Sequence, residues 1–310
     1  MRVSVIIPVY NAEKYVARAA ESALLQNEVE EVILVEDGSS DNSLKFCNSL
    51  QEINDKVKVI KHADGLNHGA GASRNLGINK AKGEYVSFLD ADDYYCKNRF
   101  VETRKVFQKY PDIDGVYEVM GVFYNSDFSR SQHMQRMRLI KQRYQNPTIA
   151  LENTGMEPGI HHKELFKEMI RGEKGWVHLN TLTIRKESII DFELFSDLYL
   201  GEDSEFIFRL VHEKVLISTN KIDPVAVRTV HKDNRIPYSG HHQLLWKYMF
   251  NYLRKRTVDK KIGQVIVRNY LNNFSEIYYN YPNNPLRKVW KLWNLVILLI
   301  KYPRMIYVFM

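Results

Sequence analysis

Apolar runs alternate with amphipathic segments through the first ninety or so residues. Four runs predict buried parallel strands, at Val3–Val9, Val32–Val35, Val57–Ile60 and Tyr85–Leu89. After each of the first three runs, apolar residues recur at helical spacing, which predicts a helix there, and Asn11 is expected to cap the first one. Strands that alternate with helices predict an α/β fold with a mostly parallel sheet, whose ligands bind at the carboxyl ends of the strands.

Beyond about residue 125 this alternation loosens. Ser126–Asn146 is polar and rich in arginine, which indicates an excursion over the surface. Gly201–Leu210 predicts a helix and Ala226–Val230 a late strand, and the rest of the chain has a helical composition. We therefore expect an α/β domain over residues 1–235 and a helical C-terminal region over residues 236–310.

Composition narrows the class of protein. With 310 residues, of which 45% are hydrophobic, the chain can bury a substantial core, and disordered and collagen-like proteins are excluded. Its two cysteines, Cys47 and Cys96, form neither a disulfide framework nor a metal-binding CxxC pair, which favours a reducing compartment. Residues 1–8 lack the features of a secretory signal, so we expect a cytoplasmic protein.

The net charge of +7 is concentrated in the last seventy residues. Residues 241–310 contain 12 Lys and Arg against 2 Asp and Glu, whereas residues 1–240 contain 32 against 35, which argues against nucleic-acid binding. Within Leu286–Met310, the apolar run Leu295–Ile300 is far shorter than the roughly 20 residues of a membrane-spanning helix. Because basic residues can flank an apolar stripe there, we expect peripheral contact with the inner face of the cell membrane. The alternative is that this stripe docks on the α/β domain or on a second subunit.

An acidic turn, Asp90-Ala91-Asp92-Asp93, directly follows the fourth predicted strand. Neighbouring carboxylates repel one another, a cost that a divalent cation bridging them to a phosphate would offset, and Mg²⁺ and Mn²⁺ both accept oxygen ligands of this kind. The alternative is an Asp-rich helix cap.

Two further segments carry residues suited to a nucleotide. Asp37, in the turn Glu36-Asp37-Gly38-Ser39, can accept a hydrogen bond from a base N–H or a ribose hydroxyl, or can serve as a helix cap. The loop Asn67–Gly77 offers glycines for close backbone approach and Arg74 for a diphosphate. That loop has neither the spacing of a P-loop nor the position of a dinucleotide fingerprint.

The order of these segments is more specific than any one of them. They are Ser4-Val5-Ile6-Ile7-Pro8-Val9-Tyr10-Asn11, Val35-Glu36-Asp37-Gly38-Ser39, Ser73-Arg74-Asn75-x-Gly77 and Phe88-Leu89-Asp90-Ala91-Asp92-Asp93. Residues 1–110 thereby resemble a family 2 glycosyltransferase of the GT-A fold, a Rossmann-like sheet flanked by helices. Further along, Gly201-Glu202-Asp203 resembles the segment that supplies this family's catalytic base.

The resemblance implies a role for each matching residue. The residues expected to contact the nucleotide are Pro8 and Tyr10 at the base, Asp37 at the uracil or ribose, Arg74 at the base or diphosphate, and Asp90 at the ribose. Asp92 is expected to hold Mn²⁺ or Mg²⁺, with His231 as a second metal contact, and Asp203 is expected to be the base.

The function implied is transfer of a single sugar, with inversion, from a UDP-linked donor to a saccharide or lipid-linked glycan in surface polysaccharide or glycoconjugate synthesis. The chain carries no Gln-x-x-Arg-Trp motif, which argues against a processive synthase. Two other classes stay open, a sugar nucleotidylyltransferase and a non-catalytic sugar-nucleotide-binding protein. The sequence leaves the oligomeric state open.

Overall fold

A computed structural model describes residues 1–124, 126, 131, 156, 158–171, 174–198, 201–231, 249, 251, 260–273 and 296. The chain divides into two compact units. The first comprises residues 1–199 and 206–234, and the second comprises residues 200–205 and 235–310.

The described strands all belong to the first unit. In chain order they are β1 (Val3–Val9), β2 (Val29–Glu36), β3 (Val57–Lys61), β4 (Tyr85–Phe88), β5 (Tyr94–Tyr95), β6 (Gly115–Tyr117), β7 (Met120–Tyr124), β8 (Thr183–Arg185), β9 (Leu216–Ser218) and β10 (Ala226–Val230). The described helices are α1 (Val16–Leu24), α2 (Ser43–Ile53), α3 (Gly69–Lys80), α4 (Val101–Lys109), α5 (His162–Arg171), α6 (Glu202–Glu213) and α7 (Lys260–Asn273). Two short 3₁₀ helices, Leu179–Thr181 and Lys186–Ile189, flank β8.

The larger sheet has the strand order β3-β2-β1-β4-β8-β6-β9 among the described residues. Strands β1 to β4 are parallel to one another, and β8 runs antiparallel to both β4 and β6. The mostly parallel α/β sheet predicted from the sequence is therefore confirmed. Because β1, β2 and β4 run in the same direction, the residues that follow them meet at one edge of the sheet.

The side chains of β1 divide between the two faces of the sheet. Val3, Val5, Ile7 and Val9 belong to the core that helices α1 and α2 cover. Ile6 points to the opposite face, where Gly77 of α3 lies so close that an added Cβ would come within 2.5 Å of its side chain. Full burial of each such aliphatic side chain stabilises the fold by about 1.5–3 kcal/mol, which explains the continuous apolar run.

A smaller sheet of order β5-β10-β7 lies in the same unit. Strand β10 pairs antiparallel with β5 and parallel with β7. Strand β5 begins directly after the acidic turn, and His231 directly follows β10. Pairing of β5 with β10 therefore brings the acidic turn and the end of β10 into the same region of this unit.

The expectation that Asn11 caps the first helix is wrong. Asn11 adopts φ +49°, and its side-chain oxygen accepts a hydrogen bond from the Ser40 amide at 2.8 Å. The adjacent amides of Ala12 and Glu13 donate to Ser43 and Asp41, so this segment is bound to the turn after β2. Helix α1 therefore begins only at Val16.

Within the second unit, the structure describes Gly201, the first turn of α6 and all of α7, together with three single residues. No helix in the described part of the chain is both long enough and apolar enough to cross a bilayer. Apart from Val296, the segment Leu286–Met310 lies outside the described residues, as does Ser126–Asn146 apart from Ser126 and Ser131.

Candidate active site

Asp37, at the carboxyl end of β2, holds the amino end of helix α3. Its Oδ1 accepts the His68 amide at 2.8 Å and its Oδ2 accepts the Gly69 amide at 2.9 Å. Gly38, at φ +70°, lets the two loops approach, since an added Cβ would lie 2.8 Å from the backbone nitrogen of Asn67. Asp37 thus caps a helix, as one sequence interpretation allowed, but that helix is α3 and not the one that follows it.

Arg74 and Asp90, both assigned to the nucleotide by resemblance, lie in direct contact. The Arg74 Nη2 donates to Asp90 Oδ1 at 2.7 Å, and the guanidinium carbon lies 5.4 Å from the centre of the Phe195 ring. The Arg74 side chain is 5% exposed, whereas that of Asp90 is 42% exposed. The pair therefore presents its carboxylate to solvent and keeps its guanidinium inside.

The three carboxylates of the acidic turn have separate partners. Asp93 is buried, and its carboxylate accepts the Thr229 amide at 2.8 Å and the Asn180 side-chain amide at 2.6 Å. Burial, followed by the charges of Asp92 and Asp90, raises the pKa of Asp93 well above its ordinary value. Asp93 thus fastens the turn to β10 and to the 3₁₀ helix before β8, while Asp90 and Asp92 remain for other contacts.

Asp92 meets the residue predicted to share its metal. His231 Nε2 lies 3.1 Å from Asp92 Oδ2, although 139 positions separate the two in sequence. The His231 side chain is 5% exposed and that of Asp92 is 30% exposed. An imidazole nitrogen and a carboxylate oxygen therefore lie side by side, just beyond the end of β10 and just before the start of β5.

This donor pair suits a divalent cation that accepts both nitrogen and oxygen. Mn²⁺ meets that description better than Mg²⁺ or Ca²⁺, which favour oxygen ligands. A catalytic cation of this type commonly takes only one or two protein ligands and completes its shell with substrate phosphates and water. Among the described residues, no group of three or more His, Cys, Asp or Glu side chains could hold a metal ion. The chemistry of Asp92 and His231 therefore fits a two-residue site.

The other predicted residues are placed as follows. Pro8 lies within β1 opposite Val35 and Tyr10 directly follows that strand, both half-buried. Asp203 belongs to the second unit, in the first turn of α6, where its Oδ1 accepts the Ser204 amide at 2.6 Å. Gly201, at φ +83°, precedes this turn.

No sequence pattern singled out Asn180 as a residue of the candidate site. Its amide group donates to Asp93 at 2.6 Å and accepts the Asp90 amide at 3.2 Å, so one side chain holds both ends of the acidic turn. Asn180 lies in a part of the chain where no family motif is visible, and a single buried asparagine carries no pattern that could have revealed it.

Two curated relatives show what the chain is similar to. It is 37% identical to the glycosyltransferase GlyG of Streptococcus pneumoniae serotype 4 over 130 residues, which is 41% of this chain and 40% of that protein. It is 29% identical to the hyaluronan synthase of Pasteurella multocida over 280 residues, which is 90% of this chain and 24% of the synthase. The chain thus spans less than half the length of these curated relatives.

The chain matches a solved structure in its fold and a family model in its sequence. The crystal structure of S. aureus TarS 1–349 in complex with UDP-GlcNAc matches 94% of this chain and 78% of that one, with a TM-score of 0.64 and 18% identity. The model of the family described as glycosyl transferase family 2 matches residues 4–163. The chain therefore belongs to glycosyl transferase family 2 and has the GT-A fold that the sequence predicts.

Proposed function

We propose that the protein transfers one sugar from a UDP-linked donor to a hydroxyl group of a saccharide or lipid-linked glycan, with inversion at the anomeric carbon. The observation that carries the proposal is the 3.1 Å contact between Asp92 and His231, in the same unit as Asp37, Arg74 and Asp90. A carboxylate–imidazole pair suited to a cation, in one unit with residues suited to a nucleotide, is a combination that such a transfer can use.

Two observations support a UDP-linked donor. A carboxylate has about four lone-pair sites, so Asp37 keeps acceptor capacity for a base N–H or a ribose hydroxyl beside the two backbone amides and His62, whose Nε2 lies 3.5 Å from Asp37 Oδ1. The TarS structure that shares this fold contains UDP-GlcNAc. We assign Pro8 and Tyr10 to the edge of the base, Arg74 to the base or diphosphate, and the exposed carboxylate of Asp90 to the ribose.

We assign Asp92 and His231 as the protein ligands of Mn²⁺. A cation bound there supplies positive charge against the negative charge that develops on the departing diphosphate. The protein's own part is to keep one carboxylate oxygen and one imidazole nitrogen oriented toward the same point.

We assign Asp203 as the general base that takes the proton of the attacking hydroxyl. Inversion needs one base on the acceptor side and a single displacement at the anomeric carbon, so one positioned carboxylate suffices. The Ser204 amide holds Asp203 Oδ1 at 2.6 Å and thereby orients the carboxylate.

The relatives and the sequence together support a glycan acceptor. The hyaluronan synthase to which 90% of this chain is similar makes a polysaccharide, and we propose a glycan acceptor here too. We further propose that the protein works at the cytoplasmic face of the cell membrane, through the basic and apolar residues of Leu286–Met310.

Calorimetric titration with UDP-GlcNAc, UDP-glucuronate, UDP-galactose and GDP-mannose tests the donor and the cation. We expect one UDP-sugar to bind in the presence of Mn²⁺, more weakly with Mg²⁺, and not measurably with EDTA. Asp92→Asn should abolish this metal-dependent binding, whereas Asp55→Asn, at an exposed position, should preserve it. Equal binding with Mn²⁺ and with EDTA would refute the assignment.

Product analysis separates the three functional classes. A transferase releases UDP when an acceptor glycan is supplied. A sugar nucleotidylyltransferase instead releases pyrophosphate from UTP and a sugar 1-phosphate. A sugar-nucleotide-binding protein without activity gives neither product while still binding the donor. Pyrophosphate release, or donor binding without UDP release over a panel of glycan acceptors, would overturn the proposal.

A further inference from the structure

The amino end of helix α1 lies against the Asp92–His231 pair. The Tyr15 ring, one residue before the helix, stacks on the His231 ring with centroids 4.5 Å apart and an interplanar angle of 25°. Arg18, one turn further on, donates from Nη2 to the Asp92 carbonyl oxygen at 2.9 Å. Tyr15 and Arg18 thus contact the two members of the pair from the same end of α1.

Arg18 also joins the two segments that carry the pair. The same Nη2 donates to the Thr229 hydroxyl at 2.6 Å, two residues before His231. The Thr229 amide donates to Asp93, one residue after Asp92, at 2.8 Å. Arg18 and Asp93 thus bind Thr229 from its side chain and its backbone, which holds the end of β10 against the acidic turn.

The Arg18 side chain is itself held in place. Its guanidinium carbon lies 4.6 Å from the centre of the Tyr94 ring, within the range of a cation–π contact. Arg18 is exposed to solvent, so its replacement leaves no buried cavity. Its contact with Asp92 is to the main-chain oxygen and not to the carboxylate, which indicates an effect on position.

We infer that Tyr15 and Arg18 are positioning residues that hold His231 and Asp92 at the separation and orientation in which both can ligate one cation. The inference rests on the metal site of the proposed function. Neither residue is a metal ligand, and each acts on a different member of the pair, Tyr15 on the imidazole and Arg18 on the backbone of the carboxylate.

Four variants test this inference. Arg18→Met removes the donor and Tyr15→Leu removes the stack. Arg18→Lys retains a cation with several N–H donors, and Tyr15→Phe retains an aromatic face. Lys45→Met, at an exposed lysine of α2, controls for the loss of one positive charge on a helix surface. The readouts are the Kd for Mn²⁺ in the presence of UDP, from the electron paramagnetic resonance signal of free Mn²⁺, and the thermal midpoint of each variant.

We expect Arg18→Met and Tyr15→Leu each to raise the Kd for Mn²⁺ about tenfold or more, the usual effect of losing a residue that orients a metal ligand. Arg18→Lys and Tyr15→Phe should recover most of that loss, Lys45→Met should match the wild type, and the thermal midpoints should stay close together.

An unchanged Kd in Arg18→Met and Tyr15→Leu would overturn the inference. The inference would also be overturned if all four variants, the conservative ones included, lost Mn²⁺ binding in parallel with a fall in thermal midpoint. Absence of Mn²⁺ binding by the wild type would instead refute the metal site of the proposed function.

Discussion

The guanidinium of Arg74 contacts the carboxylate of Asp90 at 2.7 Å and joins helix α3 to the acidic turn after β4. The two residues are sixteen positions apart and come from two different motifs of the sequence. Their contact fixes the acidic turn against the helix that follows β3. A nucleotide bound as proposed would therefore meet these two side chains as a unit.

A double-mutant cycle on this contact should show coupling. Arg74→Met, Asp90→Asn and the double variant, compared by urea denaturation, should give a coupling free energy of about 0.5–2 kcal/mol, because one partner is exposed and its charge is partly screened. Additive effects within the error of the measurement would show that the contact contributes nothing to stability.

Turnover should depend on the carboxylate of Asp203, the proposed base. Asp203→Asn should lower kcat by roughly 10²–10⁴-fold, the usual cost of losing a positioned base, while the Kd of the donor stays close to that of the wild type. Steady-state kinetics with a confirmed acceptor and calorimetry with the donor measure the two quantities. If Glu202→Gln lowers kcat more than Asp203→Asn does, the neighbouring carboxylate is the base.

Asp37 should contribute to stability through the amino end of α3. An asparagine offers only one oxygen to the two backbone amides that Asp37 accepts, so Asp37→Asn should lower the free energy of unfolding by about 1–2 kcal/mol. Urea denaturation measures this change, with Asp55→Asn as the control. A midpoint equal to that of the wild type would show that the cap is dispensable.

The buried carboxylate of Glu31 should make stability depend on pH. Burial alone would raise the pKa of Glu31, but hydrogen bonds from Lys58, Ser4 and the Lys82 amide outweigh it and hold that pKa below its ordinary value of 4.5. Because the folded-state pKa is depressed, the stabilisation is present above the ordinary pKa and is lost as pH falls through the folded-state value.

Glu31→Gln should therefore lower the free energy of unfolding by about 1–3 kcal/mol at pH 7, and the difference from the wild type should shrink below about pH 4.5. Glu30→Gln is the matched control, because Glu30 lies on the same strand and pairs with Arg2 at the surface. Chemical denaturation between pH 3 and pH 7 measures both variants. A difference that stays constant over this range would contradict the linkage.

The proposed membrane attachment should depend on charge. Replacing Lys288, Lys291 and Lys301 together with glutamine should reduce co-sedimentation of the full chain with vesicles containing phosphatidylserine, since each basic residue near an anionic surface contributes about 1 kcal/mol. Raising the salt concentration should weaken binding of the wild type in the same assay. Equal co-sedimentation of the variant and the wild type would favour docking of this segment on protein.

The sequence by itself predicted strands β1 to β4 and β10, and the edge of the sheet at which the candidate site lies. The apolar runs predicted β1 and β10 with the bounds that the structure has, and the motifs after β1, β2 and β4 indicated one shared edge. These features are local. An apolar run reports burial on both faces, and parallel strands bring the residues that follow them together whatever the details of packing.

Only the tertiary structure decided which side chains meet. It directed Asp90 to Arg74, Asp92 to His231 and Asp93 to Asn180, although the three carboxylates lie within four residues of one another. It also placed Tyr15, just before α1, and Arg18, within α1, against the Asp92–His231 pair, where helical spacing alone had indicated only an apolar face. Such contacts join residues up to 216 positions apart, and they depend on how strands pair and helices pack, which no local periodicity records.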